Sequence, residues 1–212
     1  MLRGLGIFGL LLLTGAALSF VPNGARANPE DDGGLYTGTV AEFGSLRTSL
    51  DAKSGELELV NLELERAEAI IHFSGRFKIP ADLTARIYDA ALRAGLDPAL
   101  AFEIVRIESR FNARAVSPVG AIGLTQLMLK TAAFYDPQIT REQLFDPDVN
   151  LRIGFVFFRE LLTRYEGDLR LALLAYNRGP GRVGQLLARG HNPDNGYDQA
   201  VLSGYRRGPT PP

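Results

Sequence analysis

One acidic residue, Glu108, interrupts an apolar helical stripe, where a carboxylic acid could donate a proton to a substrate. Glu108 follows Ile104 by four residues and Val105 by three, so all three share one face of the helix predicted after Asp97 and Pro98. Glu108 also lies in the last turn, where the negative end of the helix dipole disfavours an anion. Burial and the dipole both raise the pKa of a carboxyl group, and a carboxyl that stays protonated near neutral pH can act as a general acid.

The same pattern is compatible with a structural Glu108 that reaches solvent or pairs with Arg106 or Arg110. The segment after the helix favours the chemical interpretation, because the glycine-rich loop 117–123 begins with a serine and is soon followed by Gln126. Glycines let the backbone approach a ligand closely, although they also permit close packing of chain against chain. We expect an acid, a hydroxyl and an amide to line one cleft, with Gln126 at the start of the next helix.

A second group of polar residues lies at a predicted corner between two helices. Tyr176 and Asn177 end one helix, Asn177 or Gly179 can adopt the left-handed conformation of a helix end, and Pro180 can begin the next helix. A tyrosine and an asparagine exposed at such a corner could hydrogen-bond a sugar. The corner by itself would explain the same residues.

The composition excludes several other chemistries. The chain has no cysteine, so it has no disulfide framework or cysteine nucleophile, and a histidine-based metal site or triad would have to use His72 or His191. Other carboxylates lie where predicted turns and helix starts favour a capping role; these are Asp136, Asp146, Asp148 and Asp168. A net charge of −1 without a basic patch argues against nucleic-acid binding.

The periodicity predicts a mainly α fold. Apolar residues at three- and four-residue steps, with Asp82 as a cap and Gly95 as a stop, predict helices over 82–94, 98–110, 124–134, 148–166, 168–177, 181–189 and 194–206. Alternation typical of strands is not convincing anywhere in the sequence.

The sequence divides into five segments. Residues 1–27 combine a basic start, a short apolar run and an Ala-x-Ala pattern, which predicts a secretory signal peptide and no stable membrane span after cleavage. Residues 28–55 are predicted to be a flexible linker, and 56–80 an accessory helix that either packs on the next domain or docks a partner. Residues 81–207 form the predicted catalytic domain, and 208–212 a disordered tail.

The order and spacing of several motifs resemble the SLT-type soluble lytic transglycosylases. The matching runs are Glu108-Ser109-Arg110-Phe111-Asn112, Ala115-Val116-Ser117, Gly120-Ala121-Ile122-Gly123-Leu124-Thr125-Gln126, Asn150-Leu151-Arg152-Ile153-Gly154 and Ala175-Tyr176-Asn177-Arg178-Gly179. The resemblance spans roughly residues 90–205. It implies a goose-type lysozyme-like catalytic domain, here with an extra N-terminal helix, that acts on peptidoglycan glycan strands outside the cytoplasm, in the periplasm or at the cell wall. A partner docked by residues 56–80 would then be another wall enzyme.

The resemblance also implies a reaction and a set of site residues. The family cleaves the β-1,4 bond between N-acetylmuramic acid and N-acetylglucosamine and leaves a 1,6-anhydromuramoyl end, without a metal or organic cofactor. Glu108 matches the single catalytic acid/base, and the matching substrate-binding residues are Ser109, Ser117, Gln126, Tyr176, Asn177 and Tyr197. Thr125 stands where the family usually has Met, which we expect to alter the apolar floor under a sugar ring. A hydrolytic muramidase and a non-catalytic peptidoglycan-binding module remain the alternatives.

Overall fold

The computed structural model describes residues 33–206, which are mostly helical. The helices are α1 Gly33–Phe77, α2 Ala81–Arg93, α3 Pro98–Ser109, α4 Leu129–Tyr135, a 3-10 turn Gln143–Phe145, α5 Pro147–Arg164, α6 Leu169–Arg178, α7 Pro180–Ala188 and α8 Tyr197–Arg206. Two isolated antiparallel bridges join Val116 to Ile122 and Ile122 to Leu127. The prediction of a mainly α fold is confirmed. The predicted signal peptide 1–27 and tail 208–212 lie outside the described residues.

The chain divides into two compact units, Met1–Glu56 and Leu57–Pro212. In the first unit the structure describes residues 33–56, and all of them belong to α1. The prediction of a flexible linker over 28–55 is therefore wrong for residues 33–55. The physical reason is that no proline occurs between Pro29 and Pro80, so nothing breaks the helical backbone, and the glycines in this stretch only lower its helix propensity. The accessory helix predicted over 56–80 accordingly begins earlier and ends at Phe77. Within residues 33–206, no helix combines the length and apolar character that crossing a bilayer requires.

Helix α3 runs through the core of the second unit and contacts α2 on one side and α8 on another. Its inward residues are fully buried, among them Ala101, Phe102, Ile104 and Val105. The helix begins as the sequence predicts, because the Asp97 carboxylate accepts a hydrogen bond from the Ala99 N–H at 2.8 Å. This burial fixes the direction in which the end of α3 presents its last side chains.

Two other helix boundaries differ from the prediction. Helix α2 has Pro80 as its N-cap without a side-chain bond, and Asp82 lies within its first turn rather than capping it. The helix predicted over 124–134 begins only at Leu129, because Ile122 and Leu127 exchange two backbone hydrogen bonds of 2.9 Å that close a turn between them.

The C-terminal end of α1 packs on the rest of the second unit. Phe73 stacks on Phe102 of α3 with ring centroids 4.3 Å apart. Arg76 donates to Oε1 of Glu103 at 2.7 Å and to the carbonyl of Gly204 at 2.9 Å. For this end of the helix the structure supports the packing alternative rather than the docking one.

Candidate active site

The structure brings most of the predicted site residues to one cleft of about 240 Å³. The cleft lies in the second unit, where the end of α3, the loop after it, α4, α5 and α6 meet. Its lining residues are Glu108, Ser117, Val119, Ala121, Gln126, Leu127, Met128, Thr131, Phe157, Tyr176 and Asn177. A volume at or below the usual range for small-ligand pockets suits a ligand of one or two rings.

The surroundings of Glu108 in this cleft favour the protonated form of its carboxyl group. Burial raises its pKa to about 7, although the hydroxyl of Tyr197, which donates to Oε1 at 2.5 Å, opposes part of that shift. The structure contradicts the alternative in which Glu108 pairs with Arg106, because the Nε of Arg106 donates to Glu103 at 2.6 Å instead. A carboxyl with this pKa has both protonation states accessible near neutral pH, as an acid that later acts as a base requires.

A tight turn follows α3 and reverses the chain direction after Glu108. Arg110 and Phe111 both adopt positive φ angles, of 52° and 63°, which reverses the chain sharply. Ser117 then closes a tight turn, because its N–H donates to the carbonyl of Ala121 and its Oγ accepts from the Ala121 N–H, both at 2.9 Å. The hydroxyl hydrogen of Ser117 remains able to donate to a ligand in the cleft.

Gln126 lines the cleft from a turn and not from the start of a helix, which corrects the prediction. Its φ angle is 50°, and its side-chain amide donates to the carbonyls of Gly123 at 3.0 Å and Ala115 at 3.3 Å. These bonds use the NH₂ group, which leaves the amide oxygen as the atom that can accept from a ligand. The amide therefore holds the loop and faces the cleft at the same time.

Thr125 does not form the floor of the cleft, which corrects a second expectation. Thr125 is fully buried, and its N–H and Oγ1 donate to Oδ1 of Asn150 at 2.8 and 2.7 Å. Thr125 also packs closely on Gly154, because a Cβ at position 154 would lie 2.3 Å from Oγ1 of Thr125. Leu127 and Met128 supply apolar cleft surface instead. The threonine thus belongs to the support beneath the cleft.

Asn150 is a positioning residue whose contacts the sequence analysis missed. Besides accepting from Thr125, its amide donates to the carbonyls of Ile122 and Leu144, both at 2.9 Å. Gly123 is required here for packing, because a Cβ would lie 2.3 Å from the Asn150 amide nitrogen and the φ angle is +77°. The motif spacing between Asn150 and Gly154 was the available signal, but it gave no indication of these partners.

Tyr176 and Asn177 line the cleft from the end of α6, as predicted. Tyr176 donates to the carbonyl of Thr125 at 2.9 Å, which ties α6 to the loop. Burial, with a smaller contribution from the Glu108 charge, raises the pKa of Tyr176 above its usual value. Asn177 is exposed and accepts from Asn195 at 2.8 Å. Phe157 of α5 also lines the cleft, and nothing in its sequence context separated it from the apolar core positions of α5.

Two predicted binding residues lie behind the cleft rather than in its lining. Ser109 is buried, and its hydroxyl donates to the carbonyl of Val105 at 3.2 Å, one turn back in its own helix. Tyr197 is also buried and contacts Glu108.

The other candidate carboxylates have local structural contacts. Asp146 and Asp168 cap α5 and α6, Asp148 pairs with Arg86, and Asp136 accepts from the Gln138 N–H. Among the described residues that line the cleft, Glu108 is the one carboxylate.

The chain is similar to proteins of known type over this region. The profile of the Transglycosylase SLT domain matches residues 86–197. The Transglycosylase of Enterobacteria phage PRD1 is 42% identical over 94 residues, which are 44% of this chain and 34% of that protein. The soluble lytic murein transglycosylase of Escherichia coli K12 is 38% identical over 89 residues, which are 39% of this chain and 14% of that protein.

Solved structures agree with the sequence comparison. The lytic transglycosylase Slt of Pseudomonas aeruginosa superposes with a TM-score of 0.51 at 36% identity, over 57% of this chain and 23% of that one. The 70 kDa soluble lytic transglycosylase of E. coli superposes with a TM-score of 0.50 at 29% identity, over 63% of this chain and 25% of that one. The chain therefore spans about a third of the phage relative's length and a quarter or less of the others. The predicted fold resemblance is confirmed.

Proposed function

This chain belongs to the Transglycosylase SLT domain family, and from that premise we propose that it cleaves the β-1,4 bond between N-acetylmuramic acid and N-acetylglucosamine in peptidoglycan. The observation that carries the proposal is a partly buried carboxyl, that of Glu108, which has a pKa of about 7 and is the one carboxylate among the described residues that line a cleft of sugar size. The product is a 1,6-anhydromuramoyl end, and no metal or organic cofactor takes part.

The reaction needs one carboxyl group in two roles. Protonated Glu108 gives its proton to the glycosidic oxygen as the bond between that oxygen and C1 breaks. The N-acetyl oxygen of the muramoyl sugar bonds to the electron-poor C1 and holds it, as in other substrate-assisted cleavages. Ionised Glu108 then takes the proton of the C6 hydroxyl, and that oxygen bonds to C1 while the N-acetyl oxygen leaves. Atoms balance without water, and Glu108 ends protonated.

A two-carboxylate mechanism has less support in this cleft. Retaining and inverting glycosidases place a second carboxylate about 5–5.5 or 6.5–9.5 Å from the first. The four aspartates that could be considered are engaged as caps, in a turn or in an ion pair away from the cleft lining.

The remaining lining residues suit recognition of amides and hydroxyls. The Ser117 hydroxyl and the Asn177 side chain can donate, the Gln126 amide oxygen can accept, and Phe157 and Met128 offer apolar surface to a sugar ring. Tyr197 positions Glu108 from behind the cleft lining, and Tyr176, which lines the cleft, holds the loop through the Thr125 carbonyl. We assign Ser109 a structural role within α3 in place of the substrate contact.

Because peptidoglycan lies outside the cytoplasm, we propose that residues 1–27 direct export and that the chain works in the periplasm or at the cell wall. N-terminal sequencing of the protein recovered from the cell envelope tests this, since it should begin at Asn28. A protein found intact in the cytosol would contradict the assignment.

The decisive experiment is digestion of purified peptidoglycan followed by mass spectrometry of the soluble fragments. The expected fragments end in anhydromuramic acid and are lighter by one water than hydrolysed fragments. Glu108→Gln should lower the rate by about 10²–10⁴-fold, the usual contribution of general acid–base catalysis. Glu142→Gln, at an exposed position outside the cleft, is the matched control and should leave the rate unchanged.

Each other outcome has a definite meaning. Fragments that have gained water would identify a hydrolytic muramidase, in which water replaces the C6 hydroxyl. Binding without any product would identify a non-catalytic peptidoglycan-binding module. Equal rates for the Glu108→Gln variant and the native chain would remove Glu108 from the mechanism.

A further inference from the structure

Tyr197, whose hydroxyl donates to Glu108 at 2.5 Å, is the first residue of α8. Helix ends fray more readily than helix interiors, so the position of Tyr197 depends on the contacts of the chain around it. Gly196, the last residue of the loop before α8, has a φ angle of +81°. The contact between Tyr197 and Glu108 therefore depends on how this helix start is fixed.

Arg170, in the first turn of α6, pairs with two carboxylates that lie on either side of Tyr197 in the sequence. Its Nη2 donates to Oδ2 of Asp194 at 2.6 Å, and its Nε donates to Oδ2 of Asp198 at 2.8 Å. A guanidinium group presents its donors in a fixed planar arrangement, so the two bonds restrict how the two carboxylates lie relative to each other. Arg170 thus connects the start of α8 to the start of α6.

Asp198 depends on this pairing, because its side chain is only 3% exposed. Its Oδ1 is buried and makes no hydrogen bond within residues 33–206, and Arg170 is the one ion-pair partner that these residues offer it. A buried carboxylate that loses its counter-charge either takes up a proton or moves toward solvent. Either response removes the ion pair that ties the start of α8 to α6, directly beside Tyr197.

Asp194 orders the last residue of the loop. Its Oδ1 accepts from the Gly196 N–H at 2.8 Å, while its Oδ2 accepts from Arg170. The carbonyl of Gly196 in turn accepts from the Ala200 N–H at 3.0 Å, at the start of α8. A continuous series of bonds therefore runs from Arg170 through Asp194 to the first turn of α8.

The other end of α8 is held by separate contacts. Gly204 packs so closely on Glu103 that a Cβ at position 204 would lie 2.2 Å from Oε2 of Glu103. The carbonyl of Gly204 accepts from Arg76 at 2.9 Å, and Val201 is fully buried. Loss of Arg170 should therefore leave α8 docked while its first turn becomes free to move.

We propose that Arg170 is a positioning residue, which holds the hydroxyl of Tyr197 on the carboxyl group of Glu108 by pairing with Asp194 and Asp198. Arg170 is half-exposed and does not line the cleft, so it acts on Glu108 through Tyr197. This role rests on the proposed function, but its effect on Glu108 is measurable in the absence of substrate.

The surroundings of Glu108 make its pKa a measure of this contact. Tyr197 from α8 and Tyr176 from α6 are the titratable groups that interact with Glu108 in the described part of the chain, and the other residues that line the cleft carry no charge. Burial raises the pKa of both tyrosines, so neither loses its proton near neutral pH. Loss of the bond from Tyr197, which favours the carboxylate, should raise the pKa of Glu108 above about 7.

Carbon-13 NMR titration of the Glu108 carboxyl in the full-length chain tests the role of Arg170. The resonance is assigned by its absence from the Glu108→Gln variant. Arg170→Gln should raise the pKa of Glu108 by roughly 0.4–1, the equivalent of one net hydrogen bond. Arg182→Gln is the matched control, because it removes the same charge from an exposed position on α7 and should leave the pKa at about 7.

Two further variants separate positioning from the effect of charge. Arg170→Met/Asp198→Asn leaves the net charge unchanged and no buried carboxylate unpaired, so it provides the measurement even if Arg170→Gln does not fold. It should raise the pKa of Glu108 as well. In a Tyr197→Phe chain, Arg170→Gln should cause no further rise, because the bond through which Arg170 acts is already absent.

The pH dependence of peptidoglycan digestion gives a second measurement. The alkaline limb of kcat/KM for Arg170→Gln should move upward by the same amount as the pKa of Glu108. A profile that keeps the native alkaline limb would contradict the role of Arg170 in the reaction.

The NMR outcomes distinguish this role from the proposed function. An unchanged pKa of Glu108 in Arg170→Gln and in Arg170→Met/Asp198→Asn would overturn the role of Arg170, whatever product the digestion yields. A further rise in the Tyr197→Phe chain, or an equal rise in Arg182→Gln, would overturn it in favour of a direct effect of charge. The expected pKa changes without any anhydromuramoyl product would contradict the proposed function and leave the positioning of Tyr197 supported.

Discussion

The hydroxyl of Tyr197 donates a hydrogen bond of 2.5 Å to Oε1 of Glu108, although 89 positions separate the two residues in the chain. Two opposing effects act on the pKa of Glu108, because burial raises it and the hydrogen bond from Tyr197 lowers it. Tyr197 is itself buried beside Glu108, which raises its own pKa well above the ordinary value and keeps it a donor at every pH of interest. The contact thus sets how readily Glu108 gives up its proton.

Replacing Tyr197 by phenylalanine should move the pH dependence of the reaction upward. The Tyr197→Phe variant loses the hydrogen bond that favours the carboxylate, so the pKa of Glu108 rises above about 7. A general acid is active while protonated, so the alkaline limb of kcat/KM should shift to higher pH. We expect a fall at the optimum of about tenfold or less, because Glu108 itself remains.

Tyr205→Phe is the matched control for that measurement. Tyr205 lies on the same helix and donates to Asp97 at 2.6 Å, and this contact raises its pKa to about 12. Loss of the hydrogen bond between Tyr205 and Asp97 should leave the pH–rate profile unchanged. The assignment of Tyr197 would be wrong if both variants altered the alkaline limb alike.

Glu108→Gln should make the protein more stable at alkaline pH than the native chain. The folded-state pKa of about 7 exceeds the ordinary glutamate value of 4.5, so the folded state binds the proton more tightly than the unfolded state does. The native chain therefore loses stability as pH rises from about 4.5 to 7, by roughly 3 kcal/mol at most. Glutamine has no such titration.

Urea unfolding at pH 5 and pH 8 measures this difference. The free energy of unfolding of Glu108→Gln should exceed that of the native chain more at pH 8 than at pH 5. Glu142→Gln should show no pH-dependent difference. A constant offset between the native chain and Glu108→Gln at the two pH values would show that Glu108 does not titrate as inferred.

Removing Arg76 should cost far more stability than removing Arg66, which lies on the same helix. Arg76 pairs with the buried carboxylate of Glu103, and Arg76→Ala leaves that group with only Arg106. Because one partner remains, the loss should be about 3 kcal/mol, the lower end of the cost of an uncompensated buried charge. Arg66 pairs with Asp89 near the surface, and Arg66→Ala should cost about 1 kcal/mol or less. Thermal and urea unfolding of the two variants provide the comparison, and similar losses would contradict the inferred anchoring of α1.

Asn150→Ala should destabilise the loop beneath the cleft. Asn150→Ala removes the hydrogen-bond partner of the buried Thr125 N–H and of the Leu144 carbonyl, whereas the Ile122 carbonyl keeps its bond from the Leu127 N–H. An unsatisfied buried group costs about 1–3 kcal/mol, so the free energy of unfolding should fall by roughly 2–4 kcal/mol. Asn61→Ala, at an exposed helical position, is the control and should change it by less than about 0.5 kcal/mol. Equal effects would exclude the proposed support role.

The sequence alone determined the features that depend on local regularity. Helical spacing placed Glu108 on the inward face of α3, near its C-terminal end. This placement was enough to predict a raised pKa for the Glu108 carboxyl, because burial of that face and the helix dipole can both be inferred from a single helix. The helical class, the cap at Asp97 and the corner at Gly179 and Pro180 follow from equally local rules.

Only the tertiary structure decided the features that depend on contacts distant in sequence. Tyr197 reaches Glu108 from another helix, and Thr125 is turned away from the cleft because Asn150 and Gly154 of α5 hold it. Gln126 adopts a positive φ angle because the turn around it is closed by backbone pairing, which side-chain periodicity does not encode. Residue spacing determines which face of a helix a side chain occupies, but the atoms it contacts depend on how separate segments pack together.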